Sequence, residues 1–270
     1  MLIDCRPPER AIGRDYDTLT NDDGAVATPE DTPLQHLSLS VVIPTKNEER
    51  NIGWVLERVP PQVDEVVIVD GHSTDRTLEV ARIVRPDVRI VQEPRRGKGA
   101  AVRAGIAAAS GFVVAMLDAD CSMDPQELPR FVEPVAAGVD LVKGSRFLPG
   151  GGTTDMTRLR RLGNSGLVRL ANRLYATSFS ELCYGYMAFR REAVLALDLR
   201  SDGFEIETEM VVRAVRAGYV IQEVPSFEAE RRYGVSNLNT FRDGSRVLRT
   251  MLSERRWATP MMQDEAAQVV

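Results

Sequence analysis

The sequence predicts an α/β fold: a Rossmann-like, mostly parallel central sheet flanked by helices. Three observations predict it. Short, largely apolar runs recur within residues 39–44, 65–70 and 112–117, and such runs read as strands buried on both faces. Segments with apolar residues at three- and four-residue spacing separate them, the alternation expected of helices crossing over between parallel strands. Each of these runs ends in polar or acidic residues, and open α/β sheets bind their ligands at the carboxyl ends of the strands.

The elements follow in order. Residues 1–37 mix Asp, Thr, Pro and Arg without a sustained period and are expected to form a flexible arm. The main domain is placed at 38–252 and a tail at 253–270. Leu39–Pro44 is a strand stopped by proline, and Thr45–Asn51 a polar loop into a helix with Ile52, Val55, Leu56 and Val59 on one face. Pro60-Pro61 ends that helix. Glu65–Asp70 is the second strand. Gly71–Asp75 turns into a helix, with Asp75 or Ser73 as cap. Val88–Val91 is the third strand. Lys98–Ser110 is an Ala-rich helix closed by Gly111. Phe112–Leu117 is the fourth strand and runs straight into Asp118-Ala119-Asp120. Beyond it come a short helix near Pro125–Val132, a strand at Asp140–Phe147, a flexible Gly150-Gly151-Gly152 loop and an Arg-rich helix from Leu159 to Tyr175. An aromatic strand or turn follows at Cys183–Phe189, then a helix led by Phe204–Met210, a strand at Val220–Pro225, a basic loop at Arg231–Asn237 and a last helix to about Leu252. Right-handed crossovers bring the ends of the early strands to one edge.

The composition narrows the function. The chain has 270 residues, 43% hydrophobic and 27% charged, with a net charge of -5. That is enough for one large α/β domain, and it offers no broad basic field, so no nucleic-acid partner is expected. Cys5, Cys121 and Cys183 are too few and too scattered for a disulfide framework or a zinc site. His36 and His72, the only histidines, argue against a histidine-based metal site or catalytic triad. No apolar run reaches the roughly 18 residues of a membrane span, and the N-terminus lacks a signal pattern. A cytoplasmic protein is expected, touching a membrane at most peripherally.

The chemistry centres on Asp118 and Asp120. In an extended chain, residues two apart point the same way, so their carboxylates converge and repel. A divalent cation makes the pair tolerable, and hard cations prefer oxygen ligands. The alternative is structural: Asp118 ends the strand and Asp120 starts a turn. Convergence with Pro44–Glu48 and Asp70-Gly71 at one sheet edge favours a ligand site.

The motifs Val41–Glu48, Ile68–Thr77 and Leu117–Asp120 resemble glycosyltransferase family 2, with its GT-A fold. Arg96–Ala101, Lys143–Phe147 and Cys183–Phe189 resemble its dolichyl- or polyprenyl-phosphate sugar synthase branch. The resemblance covers about residues 39–240. It implies an inverting, metal-dependent transfer of a sugar from a nucleotide-diphosphate donor to a polyprenyl-phosphate-like or other anionic acceptor. Asp70 would bond the base, Pro44, Thr45 and Glu48 would line the nucleoside pocket, and Lys98 would lie near the nucleotide. Asp118 and Asp120 would face the diphosphate and Mg²⁺ or Mn²⁺. Ser122 stands where the branch commonly has a Gln near the metal. Arg146 would meet an acceptor phosphate or the diphosphate. Arg232 and Ser236 belong to a late basic loop that closes over the phosphates. Glu181 matches the branch's acid before the Gly-Tyr turn.

Other readings stay open. The acceptor is a phosphate, which needs no base, or a hydroxyl on a small soluble molecule, for which a carboxylate among Glu205, Glu207 and Glu209 would take the proton. A non-catalytic nucleotide-sugar-binding protein is the remaining class. Asp75 reads as a helix cap, Cys121 as a packing residue, and the Arg158–Arg161 run as a solvated helix face. Glycines 97 and 99 suggest close approach of a ligand to Lys98.

Overall fold

The computed structural model describes residues 2–3, 37–234 and 239–256. An eight-stranded sheet forms its centre. The first half supplies β1 (Leu2–Ile3), β2 (Leu39–Thr45), β3 (Glu65–Asp70), β4 (Arg89–Gln92) and β5 (Val113–Met116); the second supplies β6 (Leu141–Ser145), β8 (Met187–Arg190) and β9 (Ile221–Pro225). The spatial order is β1-β9-β6-β8-β5-β2-β3-β4. Strands β2 to β5 are mutually parallel; β8 lies antiparallel between β5 and β6, and β1 antiparallel on β9. The expected mostly parallel sheet is present. Leu2–Ile3, expected within a flexible arm, is instead an edge strand, while residues 4–36 lie outside the described residues.

The connectivity places the site. From β2 the chain steps outward to β3 and β4, then returns to β5 on the other flank of β2. A crevice opens at the carboxyl ends where strand order reverses, here between Thr45 of β2 and the residues after Met116 of β5. Three non-glycine residues with left-handed backbones mark this edge: Asn47, His72 and Cys121, at φ 55°, 66° and 67°. Such strain concentrates at functional sites.

Alternating side chains of the buried strands feed two apolar layers. Val41, Ile43, Val66 and Ile68 pack against α1 (Ile52–Arg58), α2 (Thr77–Val84) and α4 (Leu128–Ala136). On the other face, Val42, Val67, Val69 and Met116 meet α3 (Lys98–Ala108), α5 (Arg158–Tyr175), α7 (Ile206–Arg216) and α8 (Thr240–Ser253). The short α6 (Arg191–Leu195) follows β8. Helix α3 lies close on the sheet because Gly105 has no side chain; a Cβ there would come within 2.3 Å of Val42. Gly111 does not close α3, which ends at Ala108 with Ala109 as its cap; a Cβ at Gly111 would instead meet the Ser40 backbone at 2.6 Å.

The Gly150–Gly152 loop is tied down more than its composition suggests. Gly152–Thr153 forms β7, paired in parallel with β10 (Phe227–Glu228). Gly151 N–H donates to Leu148 and Gly152 N–H to Ser226.

Candidate active site

A cavity of about 1070 Å³ opens at this carboxyl edge, large enough for a nucleotide sugar with room to spare. The end of β2 contributes Pro44, Thr45 and Glu48, the turn after β5 contributes Asp118, Asp120 and Ser122, and the start of α3 contributes Lys98. Arg146, Glu207 and Arg231 complete this end. Helices α5 and α8 add Asn164, Leu167, Phe241 and Leu248 to the wall.

Asp118 and Asp120 both face the cavity, each held by a cation. Lys98 Nζ lies 2.6 Å from Asp118 Oδ1 and 2.7 Å from Glu207 Oε1. Burial works against the ammonium charge, but the two carboxylates outweigh it and push its pKa above the ordinary lysine range. Burial pushes the Glu207 carboxyl up, with Lys98 pulling against it. Arg231 bridges Asp120 Oδ2 at 2.6 Å and Glu48 Oε1 at 3.3 Å. Burial raises Glu48 as well, opposed by a hydrogen bond from Asn51 and by Arg231. The same Asn51 amide donates to the Tyr233 carbonyl, which ties Arg231–Tyr233 to the start of α1.

Arg146 lies deeper, 6% exposed. Its Nε donates to Glu181 at 2.8 Å, its Nη1 to Glu228 at 2.9 Å, and its Nη2 to the Cys183 carbonyl at 3.1 Å. It touches the cavity from the floor with all three nitrogens engaged. The carboxylates outweigh the burial penalty and raise its pKa. Behind it, fully buried Lys143 donates to the Glu181 carbonyl and to Glu223.

The remaining expected residues divide. Pro44 and Thr45 line the cavity. Asp70 is buried at the end of β3 and accepts from the Ser73 amide at 3.1 Å; it sits beside the wall residue Gly71. Ser122 donates its hydroxyl to Asp120 Oδ1 at 2.6 Å, so it positions that carboxylate. Arg232 points away, exposed, with its guanidinium 4.8 Å from the Trp54 ring; its neighbour Arg231 is the one on the acids. Ser236 lies outside the described residues. Glycines 97 and 99 make room for protein, not ligand: a Cβ at either would lie within 2.3 Å of the backbone oxygen of Asp202 or Ser201. Asp75 bonds Thr77 and the Glu49 amide as a turn residue. Cys121 is buried, its thiol pushed up to about 11 by burial, and is no nucleophile at neutral pH. Glu228 and Asn164 were not anticipated. Asn164 left one signal: it occupies an apolar position of the α5 stripe.

Among the described residues no group of three His, Cys, Asp or Glu side chains is arranged for a metal. Two carboxylates on a cavity wall still suit Mg²⁺ or Mn²⁺, which take one or two carboxylates and fill the rest of the shell with phosphate oxygens and water. The residues present fit such an ion when it arrives with a diphosphate.

Comparisons with known proteins agree with this geometry. The sequence model of glycosyl transferase family 2 matches residues 40–197. A dolichyl-phosphate hexose transferase of Haloferax volcanii is 35% identical over 77% of this chain and 90% of its own. A polyprenol monophosphomannose synthase of Mycolicibacterium smegmatis is 34% identical over 85% of this chain and 90% of its own. Glucosyl-3-phosphoglycerate synthase from Mycobacterium tuberculosis, solved with Mg²⁺ and UDP, superposes with a TM-score of 0.67 at 25% identity, covering 83% of this chain and 81% of that one. The same enzyme solved with Mn²⁺, UDP-glucose and phosphoglyceric acid gives 0.67 at 26%, covering 83% and 82%.

Proposed function

The chain belongs to glycosyl transferase family 2, with the GT-A fold, and on that premise we propose that it moves a sugar from a nucleotide-diphosphate donor to a phosphate-bearing acceptor by a single inverting displacement. One observation carries the choice of acceptor. Every carboxylate on the cavity wall, from Glu48 through Asp118, Asp120, Asp155, Glu207 and Glu228 to Asp243, has a Lys or Arg partner. A carboxylate whose oxygens are held in an ion pair has fewer lone pairs free to take a proton from a hydroxyl or to attack the sugar. An ionised phosphate needs no base, and without a protein nucleophile the sugar passes directly from donor to acceptor, inverting its anomeric carbon.

Pro44, Thr45 and Glu48 then hold the nucleoside, with Asp70 at the base. Mg²⁺ or Mn²⁺, held by Asp118 and Asp120 with Ser122 behind Asp120, would neutralise charge on the departing diphosphate. Arg231 adds a guanidinium on the same side, and developing charge is stabilised best by groups already in place. Lys98 holds Asp118 in place. Arg146, gripped by Glu181 and Glu228, shapes the wall between donor and acceptor.

No helix among the described residues is long and apolar enough to cross a membrane. A lipid-linked acceptor would be met peripherally at the α5–α8 face, where Leu159, Leu162 and Phe241 are exposed beside Arg158 and Arg161. The test is a panel of UDP- and GDP-hexoses with Mn²⁺ or Mg²⁺, offered with polyprenyl phosphate, 3-phosphoglycerate or glycerol. The expected result is nucleoside diphosphate release that depends on a phosphate-bearing acceptor. Release with glycerol alone, or with no acceptor preference, contradicts the proposal.

A further inference from the structure

Helix α5 buries Asn164, Val168 and Ala171, the i, i+4, i+7 stripe of a helix packed on a core. Two of the three are apolar. Asn164 is 8% exposed, and neither its Nδ2 nor its Oδ1 finds a hydrogen-bond partner. Asparagine is a poor choice in mid-helix, and a buried amide without partners is destabilising. Leucine would fill the same position without an orphaned donor and acceptor. The residue therefore costs stability where the fold has no use for it. It lines the part of the cavity wall that α5 and α8 form.

We infer that Asn164 contacts the acceptor and helps determine which acceptor is taken, its carboxamide hydrogen-bonding the head group of a phosphate monoester that carries an apolar chain. The inference rests on the phosphate-acceptor reading above. An amide offers both a donor and an acceptor, and a phosphate monoester, with ionised and ester oxygens and at times a P–O–H, answers both. Arg160, one turn earlier on the same wall, holds Asp155 only loosely, at 3.5 Å, and can turn its charge to the phosphate. Met156, Leu167 and Leu248 give this part of the wall an apolar surface, which suits a hydrocarbon group esterified to the phosphate. The helices leave space for it: a Cβ at Gly163 or Gly244, both wall residues, would meet nothing within 4 Å.

The test uses Asn164→Leu in the full chain, with geranyl phosphate and glycerol 3-phosphate as acceptor probes and UDP or GDP with Mn²⁺ as donor-side probes. Three quantities are read by calorimetry and thermal melting. The variant should bind geranyl phosphate about tenfold more weakly or worse, the equivalent of a lost hydrogen bond to a charged group. It should bind the nucleotide unchanged, and its own melting midpoint should stay level or rise. A purely structural role predicts the reverse: a lower midpoint, with any loss of affinity shared by both ligands. Unchanged geranyl phosphate binding in the variant overturns the inference alone. If the parent protein binds nucleotide but neither phosphate probe, the acceptor reading falls and this inference with it. Preference of the parent for glycerol 3-phosphate over geranyl phosphate overturns the hydrocarbon assignment.

Discussion

Replacing Lys98 with methionine removes the one ammonium shared by two carboxylates, and the structure says where the loss falls. Asp118 keeps partial contact with solvent, its side chain 29% exposed, whereas the Glu207 side chain is only 7% exposed. Without Lys98, Glu207 is a buried carboxylate whose remaining counter-charge is Arg146, outside ion-pair contact. Removing one partner of a buried pair costs about 3–5 kcal/mol. The loss should also depend on pH. Burial already holds the Glu207 carboxyl above its ordinary value of 4.5, and losing Lys98 raises it further. An acid whose folded pKa lies above its unfolded one binds its proton more tightly in the native state. Its destabilising contribution is absent below the unfolded value and grows as pH rises towards the folded one. Urea unfolding followed by circular dichroism at pH 7.5 should therefore show the full loss for Lys98→Met, and a clearly smaller one at pH 5. Adding Glu207→Gln should restore most of it, since the buried charge is gone. A loss below about 1 kcal/mol at pH 7.5, or one independent of pH, would show that the pair is more solvated than the geometry implies and refute the reasoning.

Arg231→Ala should weaken UDP or GDP binding in Mn²⁺ by about tenfold or more, because a charge-assisted hydrogen bond contributes about 1.5–3 kcal/mol; Arg232→Ala should change it far less, and calorimetry on the two variants compares them directly. Asp70→Asn keeps the shape but adds a donor, so discrimination between uridine and guanosine diphosphates should shrink, as competition binding would show. Gly185→Ala should disturb the same triad as Lys98→Met, since its new Cβ would lie 2.7 Å from both Glu207 Oε1 and Lys98 Nζ; a variant with parental melting midpoint and donor affinity contradicts this.

What was legible in the sequence was local. β2, β3 and β5 declared themselves through apolar runs ending in polar or acidic residues, and the strand-order reversal placed those ends around one cavity. Asp118, Asp120 and Glu48 were found because each stands just past the end of a strand, whereas Lys98 came from the resemblance of Arg96–Ala101 to the family. Non-local pairing was not legible. The antiparallel insertion of β8 between β5 and β6, and the capture of Leu2–Ile3 by β9, depend on partners far away in the chain. Arg146 read as a phosphate ligand because its two carboxylates, Glu181 and Glu228, lie 35 and 82 residues distant. Glycines 97 and 99 suggested a ligand, whereas the Ser201–Asp202 backbone fills that space. Arg231 and Arg232 are adjacent in a loop, where no periodicity says which one turns inward.

The most direct measurement is calorimetric titration of Asp120→Asn with UDP and GDP, in Mn²⁺ and in EDTA, beside the parent protein. A diphosphate site built on Asp118 and Asp120 predicts tight, Mn²⁺-dependent binding by the parent. The variant should be folded, with an unaltered circular dichroism spectrum, and its binding should be weak and indifferent to Mn²⁺. Equal Mn²⁺-dependent affinity in the two proteins would contradict the placement of the metal and diphosphate at the end of β5.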